Sequence, residues 1–556
     1  MMNPKVVFLP LLVGLVAGIS EKALGGTLEL ASVNSQWRQA NDDSWDPAIS
    51  RDGRFVVFQS RADNLVPADT NGTWDVFIRD RVDGITYRAS VDSDGNEGNG
   101  ESYWPSVSGH GRFVSFTSWA DNLVDNDTNE FPDVFVHDIE NRTTVRVSLD
   151  SAGVEGNGGS FQSVVSADGQ LVAFVSVASN LVAGDENGFA DVFVHDRQSG
   201  ETQRVSVDPA GLDAIGDSGS PAISANGGFV VYSSSAPNLV EGDSNDVSDV
   251  YVTDLSSGVT VRVSVASDGA EGDDSSRQPA ISGDGRFVSF TSSAGNLVGG
   301  DRNGVSDVYV HDRWSGTTSR VSIDSAGAEG NDSSVESSIS SDGRIVAFRS
   351  RAANLVTNDT NGERDVFIRD RAFGTTCRVS VSAAGEEGND TSWLPSVSGD
   401  GGHVAFEAVA SNLIPNDGNG VPDILVAVAD CPPVGETIVE VPIDVKPGSE
   451  VNPINLASRG VVPVAVLTTG AFDGTTVDPS SVRLAGGLAR HSSLEDVDRD
   501  GDLDLLLQIP ARELSILPGS ETIVLVGETY NGLAIVGWDS ITLVPRGEER
   551  RASRTR

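Results

Sequence analysis

Basic residues are scarce in this chain: Lys and Arg number 38 against 81 Asp and Glu, a formal charge of −43. So acidic a surface repels phosphate backbones and anionic lipid, which makes nucleic acid and membrane surfaces poor partners and metal cations good ones. Long apolar runs are missing after the N-terminus, and none approaches the roughly 18 to 20 residues of a membrane span. Cysteine is limited to Cys377 and Cys431, enough for one disulfide in an oxidising compartment, with two free thiols as the alternative. The histidines at 110, 137, 195, 311, 403 and 491 include no H-x-H spacing. No G-x-S-x-G elbow has a convincing His partner.

What is present begins with Lys5, an apolar run from Val6 to Ile19 and small residues around Ala23-Leu24-Gly25. That layout predicts a signal peptide over 1–25 and export to the periplasm or beyond. The next feature is a period. Asp69, Asp127, Asp185, Asp243, Asp301, Asp359 and Asp417 stand 58 residues apart, as do Asn64, Asn122, Asn180, Asn238, Asn296, Asn354 and Asn412. A repeat this long and regular means an array.

Within one repeat the apolar period is 2. Pro47 to Ser50 reads as a first strand, Phe55 to Ser60 as a second, Asp75 to Asp80 as a third and Ile85 to Val91 as a fourth, with a long loop between the second and third. Four short antiparallel strands joined by Gly-based turns describe a propeller blade, and seven repeats give an all-β, seven-bladed propeller over 27–431. The seventh repeat lacks a fourth strand before Cys431-Pro432-Pro433. Thr27 to Val33 is in register to supply it and close the ring, which removes exposed edges. Fourth strands carry Arg at 88, 146, 204, 262, 320 and 378, and third strands end in Asp at 80, 138, 196, 254, 312 and 370. Both are lost together in the seventh repeat, at Leu30 and Val428, so an Asp–Arg pair within each blade is expected.

The segments Ser50-Arg51-Asp52-Gly53-Arg54-Phe55-Val56-Val57-Phe58 and Ser282-Gly283-Asp284-Gly285-Arg286-Phe287-Val288-Ser289-Phe290 resemble the WD40-like (PD40-type) repeat of TolB-like propellers. The Pro common before the Asp in that family is absent, and no α/β domain precedes the array. The resemblance implies a fold and no function.

After a linker over 432–437, the segment 438–545 loses the repeat. Its β-rich runs, Val461 to Leu467, Leu503 to Ile509 and Thr522 to Val526, predict a small β-sandwich; the basic tail 546–556 is expected to be disordered. Ile443 to Ser449, Gly460 to Leu467 and Glu495 to Leu505 look like an accessory domain of exported bacterial proteins. Its Asp496, Asp498, Asp500, Asp502 and Asp504 alternate around Gly501, a spacing that suits calcium, although Leu507 stands where an EF-hand has its glutamate. An acidic hairpin turn is the alternative.

A second group of candidate cation ligands recurs as D-x-N-x-x-x-D in the long loops: Asp69, Asn71 and Asp75; Asp127, Asn129 and Asp133; Asp185, Asn187 and Asp191; Asp243, Asn245 and Asp249; Asp301, Asn303 and Asp307; Asp359, Asn361 and Asp365; Asp417, Asn419 and Asp423. Turn stabilisation through backbone N–H groups is the competing expectation. The residue two before the first-strand proline position is aromatic on one side of the ring only, at Trp393, Trp45, Tyr103 and Phe161, with Trp104 beside them. Flat aromatic faces near hydroxyls, such as the series Ser44, Ser102, Ser160 and Ser392, suit sugar rings or an extended peptide; packing between blades is the alternative. Polar positions recur around the ring, whereas catalysis needs unlike groups converging. The expected protein is therefore a monomeric binding or scaffold propeller for a glycan or an extracellular protein, with calcium as candidate cofactor. A polysaccharide-cleaving lyase or hydrolase is the alternative.

Overall fold

A computed structural model describes residues 28–543 apart from 416, 430, 432–438, 450, 451, 456, 457, 459, 471, 486, 515, 517–521, 531 and 532. The expected signal peptide, Thr27, the linker and the tail lie outside the described residues. The chain divides into two compact units, Met1–Cys431 and Pro432–Arg556. Among the described residues no helix is long and apolar enough to cross a membrane.

The first unit is built of repeated four-stranded antiparallel sheets, the architecture of a β-propeller. In the first sheet the strands are Ser44–Ile49, Phe55–Ser60, Asp75–Asp80 and Ile85–Arg88, hydrogen-bonded in that order. Six further sheets follow at the same spacing. The second and third strands are buried on both faces, which is why they read as Phe-Val-Val-Phe and Val-Phe-Ile rather than as a strict alternation. Phe58 and Phe77 face each other in register with their ring centroids 6.0 Å apart, and paired rings recur in five other sheets.

The last sheet combines Ser392–Val397, His403–Ala408 and Asp423–Val428 with Glu29–Leu30 from the other end of the chain. Glu29 lies opposite Val426, and the Ala31 amide continues the pairing by donating to the Ile424 carbonyl at 2.8 Å. Ser32 Oγ donates to the buried Asp423 carboxylate at 2.6 Å. First strands of consecutive sheets touch, and that of the last sheet touches that of the first. Cys377, on Thr375–Arg378, is joined by a disulfide to Cys431.

The first strands begin earlier than sequence predicts, at Ser44 rather than Pro47, because each contains a bulge that the apolar period cannot register. Pairing shifts between Trp45 and Ala48, and at equivalent places in the other six sheets. The fourth strand ends at Arg88, since Ala89 and Ser90 both donate to the Val76 carbonyl and the chain turns there.

The expected Asp–Arg pair is corrected. Arg88 lies opposite Phe77, three residues along the third strand from Asp80, or about 10 Å at strand rise. Asp80 instead binds Arg54 at 2.6 Å, at the short-turn end of the sheet. Asp138, Asp312 and Asp370 bind Arg112, Arg286 and Arg344 in the same way. The two losses in the seventh sheet therefore belong to separate networks, Val428 going with Gly402 in the Arg54 position and Leu30 with Gln39 in the Glu97 position.

In the second unit, one sheet runs Ile443–Val445, Val461–Val466, Asp504–Pro510, His491–Glu495. A second runs Val439–Glu440, Ala534–Ser540, Thr522–Glu528, Arg483–Leu484, Gly487–Leu488. Val445, Val464, Leu507 and Ile509 from the first share a core with Leu484, Leu525 and Ile535 from the second.

Candidate functional site

The first-strand bulge places one residue per sheet in the left-handed region: Asp46 (φ 53°), Trp104 (48°), Gln162 (54°), Ser220 (51°), Gln278 (52°), Glu336 (57°) and Leu394 (48°). None is glycine, so each costs about 1–2 kcal/mol, held by the surrounding sheet. Several of the bulge amides are bound by the second strand of the sheet before or by the preceding bulge. Trp104 N donates to Gln59 Oε1 at 3.0 Å, and Glu336 N to Thr291 Oγ1 at 3.2 Å.

The aromatic residues lie just ahead of these bulges. Trp45, Tyr103, Phe161 and Trp393 stand opposite Gln59, Thr117, Val175 and Glu407. Trp45 and Trp104 are exposed, and Tyr103, Phe161 and Trp393 half-buried. Their rings form short relays, Trp45 with Trp74 at 4.7 Å, Tyr103 with Trp104 at 6.1 Å and Trp104 with Phe161 at 6.4 Å. Trp74 was not evident from the strand pattern, since it ends the long loop; Arg61 lies 5.9 Å over its ring. Trp119 and Phe131, on the same long loop of the second sheet, are exposed as well. The serines expected to add polar contacts do not: Ser44, Ser102 and Ser160 are buried and bind Ser60, Ser118 and Ser176, while Ser392 is buried.

An acidic group adjoins this arc. Glu407, from the second strand of the seventh sheet, is 1% exposed and, among the described residues, its Oε2 has no hydrogen-bond partner. Burial pushes its carboxyl up to about 8; the Asp46 charge adds to the rise, and the Trp393 side chain and Asp46 amide oppose it only in part. Asp46 is raised to about 6 by burial and by Glu336, which itself binds Arg349 at 3.0 Å. Glu407 thus holds its proton more tightly folded than unfolded. Its contribution to stability is fully present below 4.5 and is lost as pH rises through about 8. Glu407→Gln is expected to flatten the fall in melting temperature between about pH 5 and about pH 9, read by thermal unfolding across that range. An unchanged slope contradicts the assignment.

In the D-x-N-x-x-x-D loops the carboxylates surround the fourth-strand arginine. Arg146 lies 3.0 Å from Asp127, 3.0 Å from Asp133 and 2.9 Å from Glu155 of the loop that follows. Asn129 Nδ2 donates to Asp133 at 2.9 Å, and its Oδ1 accepts from the Phe131 amide at 2.8 Å. The same arrangement surrounds Arg88, Arg204, Arg262, Arg320 and Arg378. In the seventh sheet Gln39 Nε2 takes the arginine's place, donating to Asp417 at 2.9 Å and Asp423 at 2.6 Å.

The Asp-rich segment of the second unit is a hairpin turn, closed where Glu495 pairs with Asp504. Asp496, Asp498 and Asp504 bring carboxylate oxygens within 4.8 Å of one another. Buried Asp504 also accepts from the Thr468 amide at 2.8 Å and the Val497 amide at 2.9 Å. Asp500 and Asp502 stay outside that group, Asp500 accepting from the Asp502 amide at 3.0 Å.

No protein-family model matches this chain. No curated protein matches it either. Among solved structures it is similar to an oligogalacturonate lyase from Vibrio parahaemolyticus, at 11% identity and TM-score 0.43 over 70% of this chain and 90% of that one. A putative TolB from Agrobacterium tumefaciens is 16% identical, with TM-score 0.33, over 59% of this chain and 91% of that one. TolB from Acinetobacter baumannii is 17% identical, with TM-score 0.32, over 54% and 60%. TolB and oligogalacturonate lyase are TolB-like propellers, the kind whose repeat this sequence resembles. The likeness is one of fold.

Proposed function

We propose that this chain is an exported, monomeric binding protein: a seven-bladed propeller that takes a glycan chain across the arc from Trp393 through Trp45 to Trp104 and Phe161, followed by a β-sandwich accessory unit. The observation that carries this reading is the break in sevenfold symmetry. One register position holds aromatic rings in four consecutive sheets and Gly219, Arg277 and Val335 in the rest. Trp45 is 37% and Trp104 42% exposed, so apolar ring surface on this arc is open to a ligand. Gln59 stands opposite Trp45 and binds the Trp104 amide, and Asp46 follows Trp45 in the strand, a mixture of flat apolar surface and polar groups that suits sugar rings. Screening the full chain against a glycan array, with and without calcium, tests it; binding to no glycan, together with a stable complex with an envelope protein, would replace the glycan by a protein partner.

A second reading rests on Asp46 and Glu407, carboxyls pushed to different extents, as an acid and a base of glycoside cleavage must be. Against it, Glu407 is too deeply buried to reach a glycosidic oxygen. Turnover of polysaccharide that Glu407→Gln abolishes would establish the enzyme.

Calcium we assign to Asp496, Asp498 and Asp504, where three carboxylates converge and, among the described residues, no arginine lies within ion-pair distance, and the seven repeated loops to structure, where a guanidinium or Gln39 supplies the donors. Calcium at a hundred times its dissociation constant is expected to stabilise the second unit by about 2.7 kcal/mol. Asp498→Asn should abolish the rise in its melting temperature; no rise in the wild type removes the assignment.

A further inference from the structure

The long-loop rim of the sixth sheet departs from the rest of the ring in charge. Three positions carry it: the last-but-one residue of the second strand, the residue just after that strand and the residue just before the third. In the sixth sheet these are Arg349, Arg351 and Arg364. The other six sheets hold one arginine among their eighteen such positions, Arg61. A chain of charge −43 concentrates three guanidinium groups here.

Their placement follows from the ladder. Ser350 pairs with Asp365, so Arg351 and Arg364 continue the two strands side by side. Residues opposite each other, and residues two apart on one strand, share a face, which puts Arg349 with them. The Ser392 amide donates to the Arg364 carbonyl at 2.7 Å and the Leu394 amide to Glu336 Oε2 at 3.4 Å, so this rim adjoins the first strand of the seventh sheet and Trp393. Arg349 is neutralised by Glu336 at 3.0 Å. Arg351 and Arg364 are exposed and, among the described residues, neither has a carboxylate within ion-pair distance; Arg351 Nε donates only to the Gly362 carbonyl, at 3.4 Å.

We propose that Arg351 and Arg364 bind the acidic groups of the ligand, and that this ligand is a carboxylate-bearing polysaccharide, a polyuronate. The inference rests on the glycan reading of the aromatic arc and adds its charge. Guanidinium groups bind carboxylates through paired, directed hydrogen bonds. The net negative charge does not forbid this, because at physiological salt fields are screened beyond about 8 Å and the local pattern decides. A polymer fits better than a small anion. The arginines of the sixth sheet, Trp393 of the seventh and Trp45 of the first lie on consecutive sheets, so a chain of rings can stack on the tryptophans while its carboxylates meet the arginines.

The test is calorimetric titration of the full chain with a linear polyuronate oligomer, the same oligomer with its carboxyls reduced to alcohols, and polyglutamate as an acidic polymer without sugar rings. The polyuronate is expected to bind at least about tenfold more tightly than the reduced oligomer. Arg351→Ala/Arg364→Ala should erase that difference and leave the affinity for the reduced oligomer unchanged. Equal binding of the two oligomers by the wild type, or an equal loss on both in the double variant, overturns the proposal while leaving the glycan reading intact. Polyglutamate binding as tightly as polyuronate overturns it in favour of an acidic protein. Failure of both oligomers to bind overturns the polyuronate proposal, and the glycan reading falls with it only if the glycan array also shows no binding.

Discussion

Arg146→Ala is expected to destabilise the first unit by about 3–5 kcal/mol, the usual consequence of removing one partner from a buried charge network. Three carboxylates converge on that guanidinium, and Asp127 and Asp133 have side chains 5% and 0% exposed. Burial already raises Asp127 to about 6 with the arginine in place. Without it, the remaining donors are Asn129 and Ser148, both to Asp133, and Thr128 to Glu155. The seventh sheet contains its own remedy, Leu30 for the arginine and Gln39 for the glutamate. Arg146→Leu/Glu155→Gln should therefore recover a substantial part of the loss. Urea unfolding of the three proteins checks both statements. A double variant no more stable than Arg146→Ala would mean that Gln39 does not substitute for the arginine.

Removal of residues 28–33 should cost more than any single substitution, about 5 kcal/mol or beyond, with self-association as its visible sign. The segment contributes backbone pairing to Asp423–Val428 at about 1 kcal/mol per bond and buries Ala31 and Val33. It also carries Ser32, which donates to Asp423 and accepts from the Ile424 amide at 3.1 Å. Its loss leaves a buried carboxylate short of a donor and a strand edge unpaired, the template on which another chain can add. Light scattering and thermal unfolding of the truncated protein measure this. A monodisperse protein with unchanged melting temperature would mean that the first and last parts of the array do not depend on each other.

Much of this organisation was legible because the same structural demand recurs in each repeat. The Asn64 series is strict because its amide donates to the Gln39 carbonyl and its oxygen accepts from the Asn41 amide, tying consecutive loops. Ser recurs at 50, 108, 166, 224, 282, 340 and 398 because, as at Ser50, its hydroxyl accepts from the Phe55 amide and donates to Asp52 across the turn. Pairing was harder to read than position. Arg88 and Asp80 vary together in sequence yet sit at opposite ends of a strand, and only the register separates them. The bulge left no compositional trace, since Asp, Trp, Gln, Ser, Glu and Leu all occupy its left-handed residue. Glu407 was invisible for a related reason: its counterparts include Gln59, Thr117 and Val175, and nothing in that series signals a buried carboxyl.

The role proposed for the aromatic arc is ligand binding and not packing between sheets. Titration of the glycan selected by the array into wild type, Trp45→Ala and Trp393→Ala, with the melting temperature of each, tests it most directly. Each substitution is expected to weaken binding about tenfold or more while melting within a few degrees of wild type. Contradiction would be unchanged affinity, or a loss of stability of about 3–5 kcal/mol of the kind that follows truncation of a large core aromatic.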